Sequence, residues 1–455
     1  MRFGDGNRHP NAICCIWGDP KTAMAQLSAK SKIQNIMAQS KNFLDNGLFF
    51  ATTMWLLSRI LIVVAMLLIA PTLPIAENAQ APTFGWDVFY AWDSIWYHRI
   101  VAVGYEFVND GQQYSVAFFP LLPLLTRAIM YFGLPFEIAA TLLNNAAFLG
   151  ALIIFYSWVK ESHGKNAARW STAVLAWFPY SLYGTVIYTE GLFLFFSTAA
   201  LRAFDKKQHV WAAIWGILST ATRITGVMLI PAFLFASFKE RRDLKAYLAS
   251  FAVGIGAFLF SLYCLIKFGD ALAFVHVQKG WRDSTGFAAQ GWWNMLMQIV
   301  LGSPLLFMLI VVSGFLLFRF RQRLADIKLS SLFYFFWFLL WLGIGEPLWS
   351  TEGNPFGKIP LVKIVIIYGG LCLLWLSRAK IPLVTTVYGF FSYALIFNTG
   401  LTASVERYAY GIISLSFALG LLLNRYRSWG YAILGFFAVL LASLAAQFAH
   451  NHWVA

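Results

Sequence analysis

Apolar runs of about 20 residues recur along this chain from Leu48 onward, and they constrain its fold more than any other feature. A helix of that length crosses the hydrocarbon core of a bilayer, where the backbone must satisfy its own hydrogen bonds. Only 12% of the residues are charged, whereas about a quarter are charged in a soluble domain. We therefore predict an all-α polytopic membrane protein with about 11–13 transmembrane helices.

The same length rule places the candidate spans. We assign them to 48–70, 138–159, 167–187, 190–205, 208–221, 224–238, 243–267, 292–318, 329–346, 358–377, 380–399, 407–424 and 429–449. Residues 1–47 are polar and are predicted to be a disordered cytoplasmic tail. Residues 48–455 are predicted to form a single transmembrane domain.

The positive charges indicate how these spans are oriented. Basic clusters fall on one side of the predicted map, at 30–41, 160–169, 206–207, 239–245, 319–328, 378–380 and 425–427. Cytoplasmic loops are enriched in Lys and Arg, so this side and the N-terminus are predicted to be cytoplasmic. The net charge of +14 is thereby explained without nucleic acid. Segment 117–133 must then avoid crossing the membrane, which makes 71–137 the first extracytoplasmic loop, with interfacial helices.

This outer loop contains two Trp-Asp pairs in the stretch "GWDVFYAWDSIWYHRI", at Asp87 and Asp93. Six residues of helix turn the chain by about 600°, so the two carboxylates point in widely different directions. At most one of them can face a given site. A carboxylate at membrane depth is costly unless it is used, and this favours a functional role for Asp93. Asp87 is expected to face water or to cap a helix.

Several motifs occur in a fixed order along most of 48–424. The quoted stretches are "AWDSIWYHRIVAVGYEF" (91–107), "AFFPLLPLLTRAI" (117–129), "NNAAFLGALIIFY" (144–156), "FPYSLYGTVIYTEGLFLFFSTAAL" (178–201), "TATRITGVMLIPAFL" (220–234) and "SVERYAY" (404–410). Together they resemble the family of the second GPI mannosyltransferase (PIG-V-like). Arg59 lies where such proteins often carry an arginine in the first helix. The sequence departs from the pattern at Gly191, where the family usually has Ser, and at Ile224-Thr225.

The resemblance implies a GT-C glycosyltransferase fold with its cavity at the outer face. It also implies an inverting enzyme that moves a sugar, usually mannose, from polyprenyl (dolichyl) phosphate to an acceptor hydroxyl. The residue chemistry is compatible with this reaction. A phosphate leaves as a stable anion, so one general base and a few cations are sufficient. A glycosidase, by contrast, needs two carboxylates because its leaving alkoxide must be protonated.

The resemblance and the outward positions of rare charges give the candidate site. Asp93 is the predicted catalytic base, and Arg223 and Arg407 are the predicted contacts of the donor phosphate. Arg99 and Arg127 are weaker candidates for that contact. The candidate substrate-binding residues are Trp92, Trp96, Tyr97, Tyr188, Glu190 and Tyr408. Glu190 could instead hold an arginine.

No metal site is assigned from the sequence. A divalent cation held by Asp93 with Glu190 or Glu106 remains open, because some GT-C enzymes use one. His450 and His452 are expected to be solvated, and "HNHWVA" has no counterpart in the resemblance. No Gly-rich phosphate loop follows a strand, so a nucleotide is not expected.

Other readings of the sequence compete with this one. The acceptor could be a GPI-like glycolipid, or another GT-C enzyme could use a different sugar, polysaccharide or protein acceptor. A lipid or solute transporter would also show short, Gly- and Pro-interrupted spans, although the two halves share no repeated motif. The membrane is predicted to be a bacterial plasma membrane or the endoplasmic reticulum, with the site on the extracytoplasmic or lumenal side.

Overall fold

The computed structural model describes residues 47–74, 80–282, 286–302, 312, 361–400 and 404–454. The described residues from Ala51 onward form one compact unit. The predicted spans 329–346 and most of 292–318 lie outside the described residues, as does the predicted tail apart from Gly47. The predicted domain boundary at residue 47 stays a prediction.

Most of the described residues are helical, and no strand occurs among them. The α-helices are α1 (Gly47–Val64), α2 (Asp93–Val103), α3 (Leu121–Met130), α4 (Phe136–Trp177), α5 (Glu190–Asp205), α6 (His209–Thr222), α7 (Leu229–Lys239), α8 (Leu244–Ala252), α9 (Ile255–Phe268), α10 (Ala273–His276), α11 (Ala289–Gly302), α12 (Leu361–Ile364), α13 (Gly370–Ser377), α14 (Leu383–Phe397), α15 (Val405–Tyr410), α16 (Ile413–Arg425) and α17 (Arg427–Ala449).

Four helical segments are long and apolar enough to cross a membrane. They are Gly47–Thr72, Phe136–Trp177, Leu244–Phe268 and Arg427–Ala449. Other helices, α14 and α16 among them, are also apolar but shorter, at 10–17 residues. The prediction of an all-α polytopic membrane protein is thus confirmed, while the number of 11–13 spans stays a prediction.

The predicted span 167–187 was too long at its C-terminal end. Helix α4 bends at Gly164, whose φ of 79° lies in the left-handed region, and then continues only to Trp177. Phe178 precedes Pro179 and takes an extended conformation, since the ring of a following proline disfavours α-helix. A short 3₁₀ helix, Pro179–Gly184, and an irregular turn follow. The chain therefore leaves the helix about ten residues before the predicted end and forms a buried loop.

The predicted span 407–424 was wrong as a single helix. Helix α15 ends at Tyr410, Ile412 is extended with φ −86° and ψ 90°, and α16 begins at Ile413. The hydroxyl of Tyr410 donates a hydrogen bond to the carbonyl oxygen of Leu175, at 3.1 Å, and so ties the short helix to the end of α4. Arg407 consequently lies on a separate one-turn segment.

The predicted outer loop 71–137 contains a 3₁₀ helix, Trp86–Phe89, followed by α2 and α3. Hydrogen bonds hold this loop against the remaining helices. Lys267 Nζ at the end of α9 donates to the carbonyl of Tyr105 at 2.7 Å. Ile187 N donates to Phe89 O at 3.2 Å. The loop is thereby fixed over the ends of the long helices, and its orientation to the membrane surface stays a prediction.

Arg59 in α1 fastens the loop that follows α4. Its guanidinium is buried and lies over the ring of Phe148 at 4.7 Å. Its Nη1 and Nη2 donate to the carbonyl oxygen and the hydroxyl of Ser181, both at 3.1 Å. A buried cation within an apolar helix is stable only with such partners. Arg59 therefore acts on the shape of 178–189 rather than on a substrate.

Candidate active site

Four charged side chains from distant parts of the chain meet in one partly buried cluster. Asp93 Oδ2 accepts a hydrogen bond from Arg407 Nη1 at 2.7 Å. Arg407 Nε lies 3.5 Å from Glu190 Oε1, which also accepts a bond from Arg223 Nη1. The charges alternate along Asp93, Arg407, Glu190 and Arg223. All four were predicted site residues, and the structure brings them together.

Burial makes this cluster unusual. The side chain of Glu190 is 1% exposed and that of Arg407 is 7% exposed, while Asp93 at 19% is the more open end. Buried charges are costly unless they are paired, and here two carboxylates are balanced by two guanidinium groups. The cluster is therefore neutral overall but offers strong local fields at its open end.

The start of α2 places Asp93. Trp92 has φ 59° and ψ −113°, a region that residues other than glycine rarely occupy, and the helix begins directly after it. Asp93 N donates to the hydroxyl of Tyr188 at 3.3 Å. A carboxylate in the first turn also interacts favourably with the helix dipole. Such a strained residue beside a charged one is common at functional sites.

The loop after α4 positions Glu190, and Asn144 in α4 organises that loop. Asn144 is fully buried, and its Nδ2 donates to the carbonyls of Tyr183 and Val186, each at 2.8 Å. Its Oδ1 accepts from Gly191 N at 2.9 Å. One amide side chain therefore fixes both ends of the turn that leads into Glu190.

This contact explains why a glycine occupies position 191. A Cβ atom added to Gly191 would overlap the backbone oxygen and the side-chain oxygen of Asn144. Any residue other than glycine would push α5 away from α4. The glycine is therefore required by the close packing of these two helices beside Glu190.

Arg223 and Arg407 both lie at breaks between helices. Arg223 is extended, with φ −152° and ψ 143°, between α6 and the 3₁₀ helix Ile224–Met228. Arg407 lies in α15, which begins after Ser404, a residue with φ 58°. A break between helices lets a side chain point into the charged cluster, because no further helical turn occupies that space. Both guanidinium groups contact the ring of Tyr408, at 5.4 Å for Arg223 and 5.6 Å for Arg407.

Aromatic rings surround the guanidinium of Arg407. Its Cζ lies 5.1–5.8 Å from the ring centroids of Tyr183, Tyr188, Tyr408 and Trp453. Rings at this distance attract a cation through their quadrupoles. They also limit the approach of water, so the bond to Asp93 is formed in an environment of low polarity.

The tyrosines of the site are hydrogen-bonding groups and not proton acceptors. Burial, with Asp93 nearby, raises the pKa of Tyr188 and that of Tyr97 well above the ordinary value. Tyr97 donates to the hydroxyl of Thr189 at 3.5 Å. For Arg223, burial alone would lower the pKa, but Glu190 together with Tyr408 and Tyr97 leaves the pKa above its ordinary value. These phenols stay protonated and Arg223 stays charged at physiological pH.

Glu190 has one oxygen that no described residue satisfies. Its Oε1 accepts a hydrogen bond from Arg223 and lies 3.5 Å from Arg407 Nε, whereas Oε2 is buried and has no hydrogen-bond partner among the described residues. Leaving a buried carboxylate oxygen without a donor is costly. A donor that arrives with a ligand, such as a sugar hydroxyl, would satisfy it.

The remaining predicted aromatic residues lie around the open end. Trp92 is exposed and meets the ring of Trp453 edge to face at 5.2 Å. Trp96 stacks on Phe118 at 5.9 Å and contacts Trp281 at 5.8 Å. Trp96 is one helical turn from Asp93, so this aromatic group borders the carboxylate.

Two weaker candidates have other partners. Arg99 pairs with Glu106 at 2.5 Å, and both side chains are more than 40% exposed. Arg127 donates through Nη2 to the carbonyl oxygen of Val101 at 2.8 Å. Both arginines thus hold segments of the outer loop together, and neither pairs with Asp93.

The structure also bears on the open question of a divalent cation. No group of three or more His, Cys, Asp or Glu side chains lies in the described ranges with the spacing to hold a metal ion. Asp93 and Glu190 share Arg407, and Glu106 pairs with Arg99. The carboxylates considered for a cation are therefore already matched to arginines.

The sequence analysis missed Asn144 and Trp453, and it was wrong about His450. Two consecutive asparagines in an apolar helix are a signal, because an amide at that depth is costly unless it is satisfied. His450 was expected to be solvated but is only 5% exposed. His450 contacts Ala70 and Gln80, and Trp453 contacts Trp92, all more than 300 positions earlier in the chain. No local pattern predicts contacts of this kind.

No protein-family model matches this chain, and no curated protein sequence matches it. Among solved structures, it is similar to ArnT from Cupriavidus metallidurans bound to undecaprenyl phosphate. The identity is 13% and the TM-score 0.47, over 85% of this chain and 62% of that chain. It is also similar to the oligosaccharyltransferase of Archaeoglobus fulgidus tethered with an acceptor peptide, at 13% identity and TM-score 0.45, over 89% and 55%.

A further structure of the archaeal protein, AglB in complex with an inhibitory peptide and a dolichol-phosphate, gives 13% identity and TM-score 0.45 over 89% of this chain and 56% of that chain. The chain thus spans less than two thirds of the length of each of these proteins. A likeness at this TM-score does not establish a shared fold, and even a shared fold does not imply a shared function. What the site does must be argued from its own residues.

Proposed function

We propose that this protein is an inverting glycosyltransferase of the GT-C type that transfers mannose from polyprenyl (dolichyl) phosphate to a hydroxyl of a glycolipid, GPI-like acceptor. The observation that supports it best is the bond between Asp93 Oδ2 and Arg407 Nη1, at 2.7 Å. It joins a candidate base to a candidate phosphate contact at the open end of an otherwise buried cluster. The order of the sequence motifs supports the same class.

Asp93 acts as the general base in this proposal. The bond to Arg407 uses Oδ2, and Oδ1 can accept the proton of the acceptor hydroxyl. As the hydroxyl oxygen forms its bond to the anomeric carbon, the bond from that carbon to the phosphate oxygen breaks. Attack from the side opposite the phosphate inverts the configuration. The phosphate leaves as an anion and needs no proton from a second acid.

Arg407 and Arg223 receive the negative charge that develops on the departing phosphate. Each guanidinium carries five N–H donors, more than the carboxylate bonds described here require. Planar guanidinium groups bind phosphate oxygens in pairs of parallel hydrogen bonds. Because Arg407 touches both Asp93 and the proposed phosphate position, it also sets the distance between base and leaving group.

Glu190 and the aromatic residues hold the sugars. Glu190 Oε2 is buried and lacks a partner among the described residues, so a hydroxyl of the donor sugar can donate to it. Tyr188 and Tyr97 are buried beside the same cluster, and the ring of Tyr408 lies against both arginines. Trp92 and Trp96 border the open end, where the acceptor would enter.

The cellular arrangement belongs to the same proposal. The lipid-linked donor and a membrane acceptor would both reach the site from the extracytoplasmic or lumenal leaflet. Sequence asymmetry in Lys and Arg supports a cytoplasmic N-terminus. No nucleic-acid partner is proposed.

The test is a transfer assay in proteoliposomes. Purified protein is supplied with radiolabelled mannose on polyprenyl phosphate and with a glycolipid extract as acceptor. We expect a labelled glycolipid, an equal amount of released polyprenyl phosphate, and an inverted anomeric linkage in the product. Parallel donors with other sugars identify the sugar, and parallel acceptors identify the hydroxyl.

The same proteoliposomes separate this function from transport. A protein that moves the labelled lipid or free solute across the membrane without forming a glycosidic product is a transporter, and that result would overturn the proposal. Transfer from a different sugar donor would keep the enzyme class but correct the sugar.

A further inference from the structure

The segment that follows α17 folds back onto the outer loop. His450 Nε2 lies 2.9 Å from the carbonyl oxygen of Ala70, and Nδ1 lies 3.3 Å from that of Gln80. The backbone oxygen of His450 accepts a further bond from Gln80 N at 3.2 Å. One buried residue therefore joins the end of the first span to residue 80 of the outer loop.

The end of α17 has the hydrogen bonds of a Schellman motif, which explains why the chain turns back here. Asn451 has φ 60°, a left-handed conformation that asparagine tolerates better than most residues. Asn451 N donates to Phe448 O at 2.9 Å, and His452 N donates to Gln447 O at 3.0 Å. The helix thus ends with a defined reversal, and Trp453 follows two residues after Asn451.

Trp453 reaches both sides of the Asp93–Arg407 bond. Its ring meets that of Trp92, the residue before Asp93, at 5.2 Å and an interplanar angle of 75°. Arg407 Cζ lies 5.8 Å from the centroid of the same ring. Val454, the next residue, is 3% exposed. The segment is therefore packed as a wall of the cluster and does not extend away from it.

We propose that Trp453 is a positioning residue for the donor-phosphate site, an inference that rests on the proposed function of Arg407. Its ring contact with Arg407 holds the guanidinium in the orientation in which it can donate hydrogen bonds both to Asp93 and to a phosphate. Its contact with Trp92 supports the strained residue from which α2 starts. His450 and the helix-ending turn supply the fixed backbone from which this ring projects.

This role predicts a specific kinetic pattern. Removal of the ring in Trp453→Ala frees Arg407 to adopt other orientations, so donor binding is weakened while acceptor binding is not. We expect the donor KM to rise about tenfold, the size of a cation–π contact in a partly buried site. The acceptor KM should stay within about twofold. Trp453→Phe keeps a ring and should recover most of the donor affinity.

Trp375→Ala is the matched control. Trp375 also lies against an arginine, with Arg378 Cζ 4.1 Å from its ring centroid, but it is 56% exposed and belongs to α13. The Trp375→Ala substitution removes the same side chain and the same kind of contact, but away from the charged cluster. Its donor KM should therefore equal that of the wild type. Size-exclusion profiles and thermal unfolding of each detergent-solubilised variant check folding.

Two measurements keep this proposal separate from the proposed function. Transfer kinetics are paired with equilibrium binding of radiolabelled polyprenyl phosphate to the same preparations. If the wild type binds polyprenyl phosphate but transfers no sugar, the enzyme proposal fails, and the binding data still test Trp453. If it neither binds nor transfers, both proposals fall.

The role of Trp453 is overturned by either of two results. One is an alanine variant with wild-type donor KM and binding. The other is an equal loss in the alanine and phenylalanine variants that appears only as less folded protein, with unchanged KM for the remainder. The second result would give the segment a purely structural role.

Discussion

The two Trp-Asp pairs of the outer loop are alike in sequence and opposite in surroundings. Asp87 lies in the 3₁₀ helix Trp86–Phe89 and is exposed, and no ion pair joins it to another described residue. Asp93 lies six residues later in the first turn of α2, with its side chain 19% exposed and bonded to Arg407. A short motif therefore does not determine what its carboxylate does.

The difference comes from the backbone before each aspartate and from a distant partner. Gly85 precedes the first pair and is extended, so Trp86 enters a short 3₁₀ turn without strain. Trp92 is itself in the left-handed region and turns the chain abruptly into α2. The arginine that meets Asp93 lies 314 residues further along the chain. Asp93 is thus selected by tertiary structure.

Asp93→Asn should have the largest effect. Asparagine keeps an oxygen that can accept from Arg407, so the fold is retained, but it cannot take a proton. The turnover number should fall by about 10²–10⁴-fold, the usual contribution of a general base. Transfer of labelled mannose is measured at equal amounts of folded protein. Turnover near the wild-type value would show that another group is the base, and Glu190 would be the next candidate.

Arg407→Gln should have the second-largest effect, because it removes the ion pair that Asp93 has and Asp87 lacks. The substitution leaves Asp93 and Glu190 without their shared cation, and breaking a buried pair costs about 3–5 kcal/mol. We expect a lowered melting temperature together with weakened binding of polyprenyl phosphate.

Arg99→Gln is the control for that variant. Arg99 lies on α2 as Asp93 does, but its pair with Glu106 is solvent-exposed. Exposed pairs contribute about 0–1 kcal/mol, so its melting temperature should scarcely change. In a double-mutant cycle, Asp93→Asn and Arg407→Gln should be strongly coupled, whereas Asp87→Asn and Arg407→Gln should be additive. Coupling of Arg407 to Asp87 would contradict the distinction drawn between the two pairs.

Glu190→Gln tests whether the second carboxylate of the cluster also acts as a base, as is proposed for Asp93. The amide can still accept from one arginine, but it has one neutral oxygen in place of two charged ones. We expect a higher donor KM with a smaller fall in turnover, because Glu190 is proposed to bind a sugar hydroxyl. Glu106→Gln, on the exposed pair, serves as the control. A fall in turnover that matches Asp93→Asn would place the base at Glu190.

Much of this molecule could be predicted from local sequence. The apolar runs predict the helices and the helix break at Arg223, whereas the predicted span 167–187 ran past the break before Pro179. Arg223 and Arg407 were selected as rare cations at predicted outer helix ends, whereas Asp93 and Glu190 were selected on the resemblance and, for Asp93, on the cost of a carboxylate at membrane depth. The prediction that Asp87 and Asp93 would not share a site assumed a continuous helix, and that premise was wrong, because the 3₁₀ helix ends at Phe89 and α2 begins at Asp93.

The contacts between distant segments could not be predicted in this way. The pairing order along the four charges depends on how α2, α5 and α15 pack, and the sequence left open whether Glu190 binds a sugar or an arginine. Asn144 shows its role only through its hydrogen bonds on both sides of Glu190, two to the loop before it and one to Gly191 after it. His450 and Trp453, near the C-terminal end, contact Ala70, Gln80 and Trp92 near the other end of the chain. These features are set by tertiary packing, which no single-residue pattern encodes.

Asp87→Asn should have the smallest effect of the series. Asp87 is exposed, and an exposed substitution away from caps and ion pairs changes stability by about 0.5 kcal/mol or less. Transfer rate and donor KM should stay within about twofold of the wild type, measured beside Asp93→Asn in the same membranes. A large loss in this variant with Asp93→Asn still active would exchange the roles of the two pairs. The ion pair with Arg407 would then be structural, and the base would be the carboxylate that faces solvent.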